Sequence, residues 1–102
     1  MTSPADLEVA AYILRREGRL DDGAYSPEIA LEREHQLDGP DKWAIRGGGN
    51  CMDKTGRWSY ERQPSSRTDK WLDSHRFGTV EEALLVWTYS AEGSRRVVEG
   101  RP

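Results

Sequence analysis

The sequence predicts one small α+β domain with N-terminal helices, an antiparallel β-hairpin or three-stranded meander, and a C-terminal amphipathic helix packed on the sheet. A chain of 102 residues has room for one compact core. Apolar residues recur at helical spacing near both ends, whereas after Pro40 they alternate with polar residues as in a strand. We place the domain at residues 1–93 and a flexible polar tail at 94–102.

The first helix is predicted at residues 4–17. Ser3 stands at the N-cap position, and Pro4 follows where its missing N–H costs nothing. Gly18 provides a left-handed stop. The residues at helical spacing are Leu7, Ala10, Ala11 and Leu14.

A second helix is predicted at residues 27–37. Ser26 and Pro27 repeat the start signal, good helix formers follow, and Gly39 with Pro40 ends the segment. Its apolar stripe is thin, so the sequence leaves open whether this helix packs on the core.

A β-hairpin is predicted at residues 43–62. Trp43 and Ile45 point to one side of its first strand. The run Gly47–Gly49 is typical of a bulge or a bend, and Asp53–Gly56 has the residues of a type I turn. The return strand is Arg57–Arg62.

The stretch GRWSYERQPSSR, at residues 56–67, interleaves aromatics, arginines and serines. Period-two alternation places Trp58, Tyr60 and Arg62 on one face of the return strand. This favours Trp58 and Tyr60 as core or core-edge residues. The alternative is that they belong to a contact surface.

Pro64 ends this strand because it cannot donate to a sheet ladder. A short helical turn is predicted at residues 69–73, anchored by Trp71 and Leu72, and a short third strand at Arg76-Phe77. The possible caps of the turn are Ser65, Ser66 and Thr68, with Ser66 and Asp69 in capping-box spacing.

The last helix is predicted at residues 80–92. Thr79 and Glu82 have the spacing of a capping box, and Gly93 is the expected stop. The apolar stripe consists of Val80, Ala83, Leu84, Trp87 and Ala91.

The composition and charge of the chain disfavour or exclude several classes of function. The net charge is −3 and the pI about 5.4, which disfavours a dedicated nucleic-acid binder, although residues 46–76 carry seven basic and four acidic side chains. A single cysteine, Cys51, excludes an internal disulfide and a cysteine zinc cluster. The sequence shows neither an apolar run long enough to span a membrane nor a signal peptide, so we expect a cytoplasmic protein without membrane partners.

The candidate catalytic residues do not form a recognisable motif. Cys51, His35 and His75 are far apart in sequence and show no metal-ligand spacing. The glycine run at 47–49 lacks the G-x-G-x-x-G and G-K-[ST] patterns of phosphate loops. The sequence therefore predicts a protein that is not an enzyme, with no catalytic residue, cofactor or metal.

Residues 43–85 carry a longer pattern: W-x-I-R, then G-R-W-S-Y-E, P-S-S-R, R-F and E-E-A-L. This pattern resembles small uncharacterised proteins of actinobacteria and their phages. No activity is established for that group, so the resemblance implies a bacterial or phage setting and no mechanism. The layout of a small sheet followed by a helix is also similar to sheet-plus-helix DNA-binding modules of plant transcription factors and phage integrases, which is an analogy of fold alone.

The sequence predicts an accessory or regulatory protein, encoded by a phage in this setting, that binds a host protein; self-association remains open. Aromatic and arginine side chains are enriched at interface hot spots. The alternative is nucleic-acid binding through the basic face of the 43–62 hairpin, with Arg46, Lys54, Arg57, Arg62 and Arg67 as its cations. The candidate binding residues are Arg57, Trp58, Tyr60, Arg62, Ser65, Ser66, Arg67 and Trp71.

Overall fold

The computed structural model describes residues 9–36 and 39–98. This part of the chain is a small α+β structure with eight strands and three helices. None of the helices in these ranges is long and apolar enough to cross a membrane. The strands are β1 (Ala11–Arg15), β2 (Gly18–Leu20), β3 (Tyr25–Ser26), β4 (Ile29–Glu34), β5 (Lys42–Gly47), β6 (Asn50–Met52), β7 (Trp58–Tyr60) and β8 (Val97–Val98), and the helices are α1 (Asp69–His75), α2 (Val80–Tyr89) and α3 (Ala91–Ser94).

The strands form two antiparallel sheets. The main sheet has five strands in the order β1-β4-β5-β6-β7, and the small sheet has the order β3-β2-β8. The centre of the main sheet is the long β4–β5 pair, in which Leu31 lies opposite Ile45 and Glu32 opposite Ala44. The predicted 43–62 hairpin therefore corresponds to β5, β6 and β7 of a larger sheet, whereas the predicted third strand at Arg76-Phe77 is only an isolated bridge between Phe77 and Trp43.

The prediction of a helix over residues 4–17 is wrong where the structure describes the chain. Ala11–Arg15 form β1, which pairs with β4 through Tyr12 opposite Leu31. Residues 4–8 and the predicted cap Ser3 lie outside the described residues. Backbone pairing with β4, together with packing of Leu14 against the core cluster, outweighs the local helical spacing.

The second predicted helix, at residues 27–37, is also wrong. Ile29–Glu34 form β4, with Ile29 and Leu31 buried. Glu32 and Glu34 lie on the opposite face of the strand, as period-two geometry requires. In this segment tertiary pairing on both sides of β4 overrides the helix propensity of its charged residues.

The hydrophobic core lies between one face of the main sheet and α2. Ala83 and Trp87 of α2 join a buried cluster with the sheet residues, and the half-buried Trp58 packs against its edge. Tyr60 has 72% of its surface exposed, so the prediction that it is a core or core-edge residue is wrong. The buried members of the cluster are Ile29, Leu31, Trp43, Ile45, Met52, Phe77, Ala83 and Trp87.

Two tight turns connect β5, β6 and β7. Gly47 pairs with Asn50, so Gly48 and Gly49 form a two-residue hairpin turn where the sequence predicts a bulge or a bend. Their φ angles of 59° and 81° fit a type I′ turn, which glycine adopts without steric cost. The predicted turn at Asp53–Gly56 is confirmed, because the Gly56 N–H donates to the Asp53 carbonyl over 3.0 Å.

The C-terminal helix begins where the sequence predicts. Thr79 Oγ1 accepts from the Glu82 N–H at 3.1 Å, while the Glu82 carboxylate accepts from the Gly78 N–H at 2.9 Å. The helix ends at Tyr89, earlier than the predicted end at residue 92, because Ser90 is extended and caps α3.

Arginine contacts join the C-terminal region to the N-terminal strands. Arg15 donates to the carbonyls of Glu92 and Arg95 at 2.8 and 3.0 Å and to the Glu92 carboxylate at 2.7 Å. Beyond α3, Val97–Val98 pair with Arg19 and Leu20 of β2. The region expected to be a flexible tail thus contains a strand, and residues 99–102 lie outside the described part.

Candidate functional site

A groove lies between the edge strand β7 and helix α1. It encloses about 300 Å³ and is lined by Ser59, Tyr60, Arg62, Trp71 and His75. We call these five residues the β7–α1 groove. Tyr60 is largely exposed, whereas Trp71 retains only 8% exposure. A fixed buried indole beside a projecting phenol gives this groove a rigid apolar floor and an accessible aromatic rim.

Helix α1 determines where Trp71 lies. The helix begins after Thr68, whose hydroxyl accepts from the Trp71 N–H at 3.1 Å, and this identifies the cap among the three predicted candidates. One turn later His75 stacks on Trp71, with ring centroids 4.3 Å apart and an interplanar angle of 9°. Sequence reasoning treated His75 only as a catalytic candidate, although its i, i+4 spacing from Trp71 predicts this contact.

Three guanidinium groups surround the indole of Trp71. The carbon atoms at their centres lie 5.0 Å from the ring centroid for Arg76, 5.7 Å for Arg67 and 6.0 Å for Arg62. Such cation–π contacts strengthen as water is excluded. The ring of Trp71 therefore lies within cation–π distance of three arginine side chains.

Beneath Trp71 lies a group of charges that we call the ion cluster: Arg46, Arg67 and Arg76 with Glu34 and Glu61. Each arginine contacts both glutamates, at nitrogen–oxygen distances between 2.5 and 3.2 Å. Arg46 also contacts Glu32 at 3.1 Å, so three positive charges meet three negative ones. The side chain of Arg76 has no solvent exposure.

The ion cluster lowers the pKa values of its carboxyl groups. Partial burial raises the pKa of Glu34 and Glu61, but hydrogen bonds and positive charge from Arg46 and Arg76 outweigh it. Both pKa values therefore lie below that of a free glutamate. The glutamates remain ionised at neutral pH and neutralise the arginines.

This pairing changes the interpretation of the 43–62 hairpin as a basic face. Of its five proposed cations, Arg46 and Arg67 are the two engaged by Glu34 and Glu61. Three of the five, Lys54, Arg57 and Arg62, are exposed. A binding surface built from these cations would therefore be smaller than the sequence indicates.

The structure brings some predicted site residues together and separates others. Tyr60, Arg62 and Trp71 meet in the β7–α1 groove, and Arg67 lies behind it in the ion cluster. Ser65 and Ser66 are exposed in a 3₁₀ turn, Pro64–Ser66, which does not line the groove.

Trp58 belongs to a different site. Its indole N–H donates to Glu92 Oε1 at 2.9 Å. It lines a separate groove of about 300 Å³ together with Pro27, Gly48 and Asn50. Arg57, its neighbour, is exposed and outside both grooves. Trp58 and Tyr60 therefore line two different grooves, although only one residue separates them in the sequence.

The residues considered for catalysis do not meet in the described part of the chain. Cys51 is fully buried, and its burial raises the pKa of the thiol. His35 contacts Asp41 at 3.1 Å, whereas His75 contacts the Trp71 carbonyl at 2.8 Å through Nδ1. Across residues 9–36 and 39–98, no three His, Cys, Asp or Glu side chains are grouped as a metal site would need.

Comparison of the chain with protein-family models, with curated protein sequences and with solved structures finds no match.

Proposed function

We propose that this protein is a non-catalytic accessory or regulatory protein that binds a host protein through the β7–α1 groove. The observation that carries the proposal is the exposed Tyr60 beside the buried, immobilised Trp71, with Arg62 at the border. Trp, Tyr and Arg are the residue types most enriched at interface hot spots.

The rigidity of the groove supports this proposal. A side chain that is already fixed loses little conformational entropy when a partner binds. Trp71 is held by the stack with His75 and by the guanidinium groups of Arg67 and Arg76. At about 300 Å³ the groove holds one or two partner side chains, the size of a hot-spot pocket at the centre of a larger interface.

Charge pairing favours a protein partner over nucleic acid. Nucleic-acid affinity grows with the number of phosphates that free cations neutralise. Because Arg46 and Arg67 already contact glutamates, the hairpin offers fewer cations for this purpose. Nucleic-acid binding through Arg57 and Arg62 is the second candidate, since both are exposed.

The test is affinity capture from an actinobacterial lysate with nuclease, at low and high salt, followed by reconstitution with the purified captured protein. The Tyr60→Ala variant removes the groove rim, and Tyr89→Ala is the matched control because Tyr89 is 81% exposed on α2. We expect Tyr89→Ala to retain the partner and Tyr60→Ala to bind it at least about tenfold more weakly.

Equal retention by the wild type and Tyr60→Ala would contradict the proposal. Capture that disappears with nuclease or high salt, and that is weakened by Arg57→Ala and Arg62→Ala, would instead support the nucleic-acid candidate.

A further inference from the structure

Strand β7 forms one edge of the main sheet. The Asp53 N–H donates to the Arg57 carbonyl at 2.8 Å, and the Glu61 N–H donates to the Gly49 carbonyl at 3.3 Å. In an antiparallel pair, successive residues of a strand point their N–H and C=O groups alternately toward and away from the neighbouring strand. Arg57 and Glu61 form their hydrogen bonds on the β6 side. The N–H and C=O groups of Trp58 and Tyr60, which alternate with them, therefore point away from β6. No turn, cap or side-chain hydrogen bond within residues 9–36 and 39–98 uses these four groups.

Helix α1 lies beside this open edge. The Lys54 N–H donates to the Ser74 carbonyl at 2.9 Å, which joins the helix to the β6–β7 turn. The β7–α1 groove thus has an edge strand as one wall and a helix as the other, with Trp71 as its buried floor. An extended peptide laid along such an edge gains main-chain hydrogen bonds and places alternate side chains in the groove.

The polar side chains that line the groove indicate which charge a bound ligand would carry. The polar residues that line the groove are Arg62, Ser59, Tyr60 and His75, and none of the lining residues is acidic. Within the described residues the Arg62 guanidinium makes one hydrogen bond, a long 3.4 Å contact with the Ser66 carbonyl, besides its cation–π contact with Trp71, so its other donors can turn toward a ligand. A guanidinium beside two hydroxyls complements a carboxylate.

We propose that the β7–α1 groove binds an extended segment of the partner protein as a sixth strand on β7, with an Asp or Glu side chain of that segment paired to Arg62. This inference depends on the proposed function, because it specifies how the groove would hold the partner. It predicts that recognition uses the Tyr60 backbone as well as the Tyr60 side chain.

The probe is a set of synthetic nine-residue peptides, selected from a random display library on the wild-type protein. Tyr60→Pro removes the outward N–H, whereas Tyr60→Ala removes the same side chain and keeps that N–H. Proline is tolerated at edge strands because only the outward N–H is lost. We expect peptides to bind Tyr60→Pro at least about tenfold more weakly than Tyr60→Ala, measured by fluorescence anisotropy.

A second measurement covers the case in which Tyr60→Pro does not fold. Each peptide is N-methylated at one amide at a time and titrated against the wild-type protein. Strand addition predicts that every second methylation weakens binding, because only alternate amides face β7. Replacing the peptide's acidic residue by its amide should cost about tenfold on the wild type and nothing on Arg62→Gln.

Equal affinities for Tyr60→Pro and Tyr60→Ala, no period-two effect of methylation, or selected peptides without an acidic residue would overturn the inference. So would a concentration-dependent dimer of this chain that Tyr60→Pro abolishes, since a second copy would then occupy the edge. If capture of the host protein still depends on the Tyr60 side chain while these backbone tests are negative, the proposed function stands and strand addition fails. If capture is independent of Tyr60, both fail.

Discussion

The guanidinium of Arg76 donates to Glu61 Oε2 over 2.9 Å at a position where the Arg76 side chain has no solvent exposure. Arg76 follows α1 and Glu61 follows β7, so this pair joins the two walls of the β7–α1 groove. The same guanidinium lies 5.0 Å from the Trp71 ring. The position of the groove floor therefore depends on the charges beneath it.

Replacing Glu61 by glutamine should destabilise the fold. The variant keeps the shape of the side chain but leaves three arginines facing Glu34 and the partly exposed Glu32. Because a buried charge without its counterion is costly, we expect the free energy of unfolding to fall by about 3 kcal/mol in urea denaturation. Glu28→Gln, at an exposed position before β4, is the control and should change it by less than about 0.5 kcal/mol. A loss as small as that of the control would show that the ion cluster contributes little.

The ion cluster also predicts acid sensitivity. The pKa values of Glu34 and Glu61 are lower in the folded protein than the usual value of 4.5. Their contribution to stability is therefore complete above the unfolded pKa and is lost as the pH falls through the folded pKa. Urea denaturation between pH 6 and pH 2.5 should show the unfolding free energy falling below about pH 4.5, and less steeply in Glu61→Gln. If the unfolding free energy falls equally steeply with pH in the wild type and in Glu61→Gln, the ion cluster is not the source of the acid sensitivity.

The cap of α2 should contribute measurably to stability. Thr79→Ala removes the hydroxyl that accepts from the Glu82 N–H, and we expect a loss of about 1 kcal/mol. Thr79→Ser keeps the hydroxyl and should retain most of the stability. Thermal denaturation followed by circular dichroism measures both, and an equal loss in the two variants would argue against the hydrogen bond as the cause.

At Gly49 of the β5–β6 turn, glycine should be required for the backbone conformation and not for space. Gly49 has a φ of 81°, and a Cβ added there meets nothing within 4 Å. Gly49→Ala should therefore lose about 1 kcal/mol of unfolding free energy, and Gly49→Asn less. Gly78→Ala, also in open space, should be neutral or slightly stabilising. Similar effects at both glycines in urea denaturation would disprove the conformational explanation.

The C-terminal half of the fold could be predicted because its signals are local. The turn at Asp53–Gly56, the helix around Trp71 and the Thr79 cap each depend on a few neighbouring residues. The N-terminal half depends on distant pairing, since β1 pairs with β4, and β4 pairs in turn with β5. Its helix-forming residues therefore indicated the wrong structure.

The candidate site was predictable in part for the same reason. Tyr60, Arg62 and Trp71 were chosen from their residue types, and the structure brings them into one groove. The ion cluster was not foreseen, because Glu34 and Arg76 are 42 positions apart in sequence. The available signal is the alternation of Ile29 and Leu31 with Glu32 and Glu34, which is typical of a strand.

Amide hydrogen exchange, followed by NMR on the ¹⁵N-labelled protein with and without its captured partner, tests the role of the groove most directly. We expect the partner to slow exchange of the Trp58 and Tyr60 amides at least about tenfold, because these groups form the open edge of β7. The amides of Gly48 and Tyr89 should be unchanged. Slower exchange at the Gly48–Gly49 turn or along α2, with Trp58 and Tyr60 unaffected, would contradict binding of the partner at the β7–α1 groove.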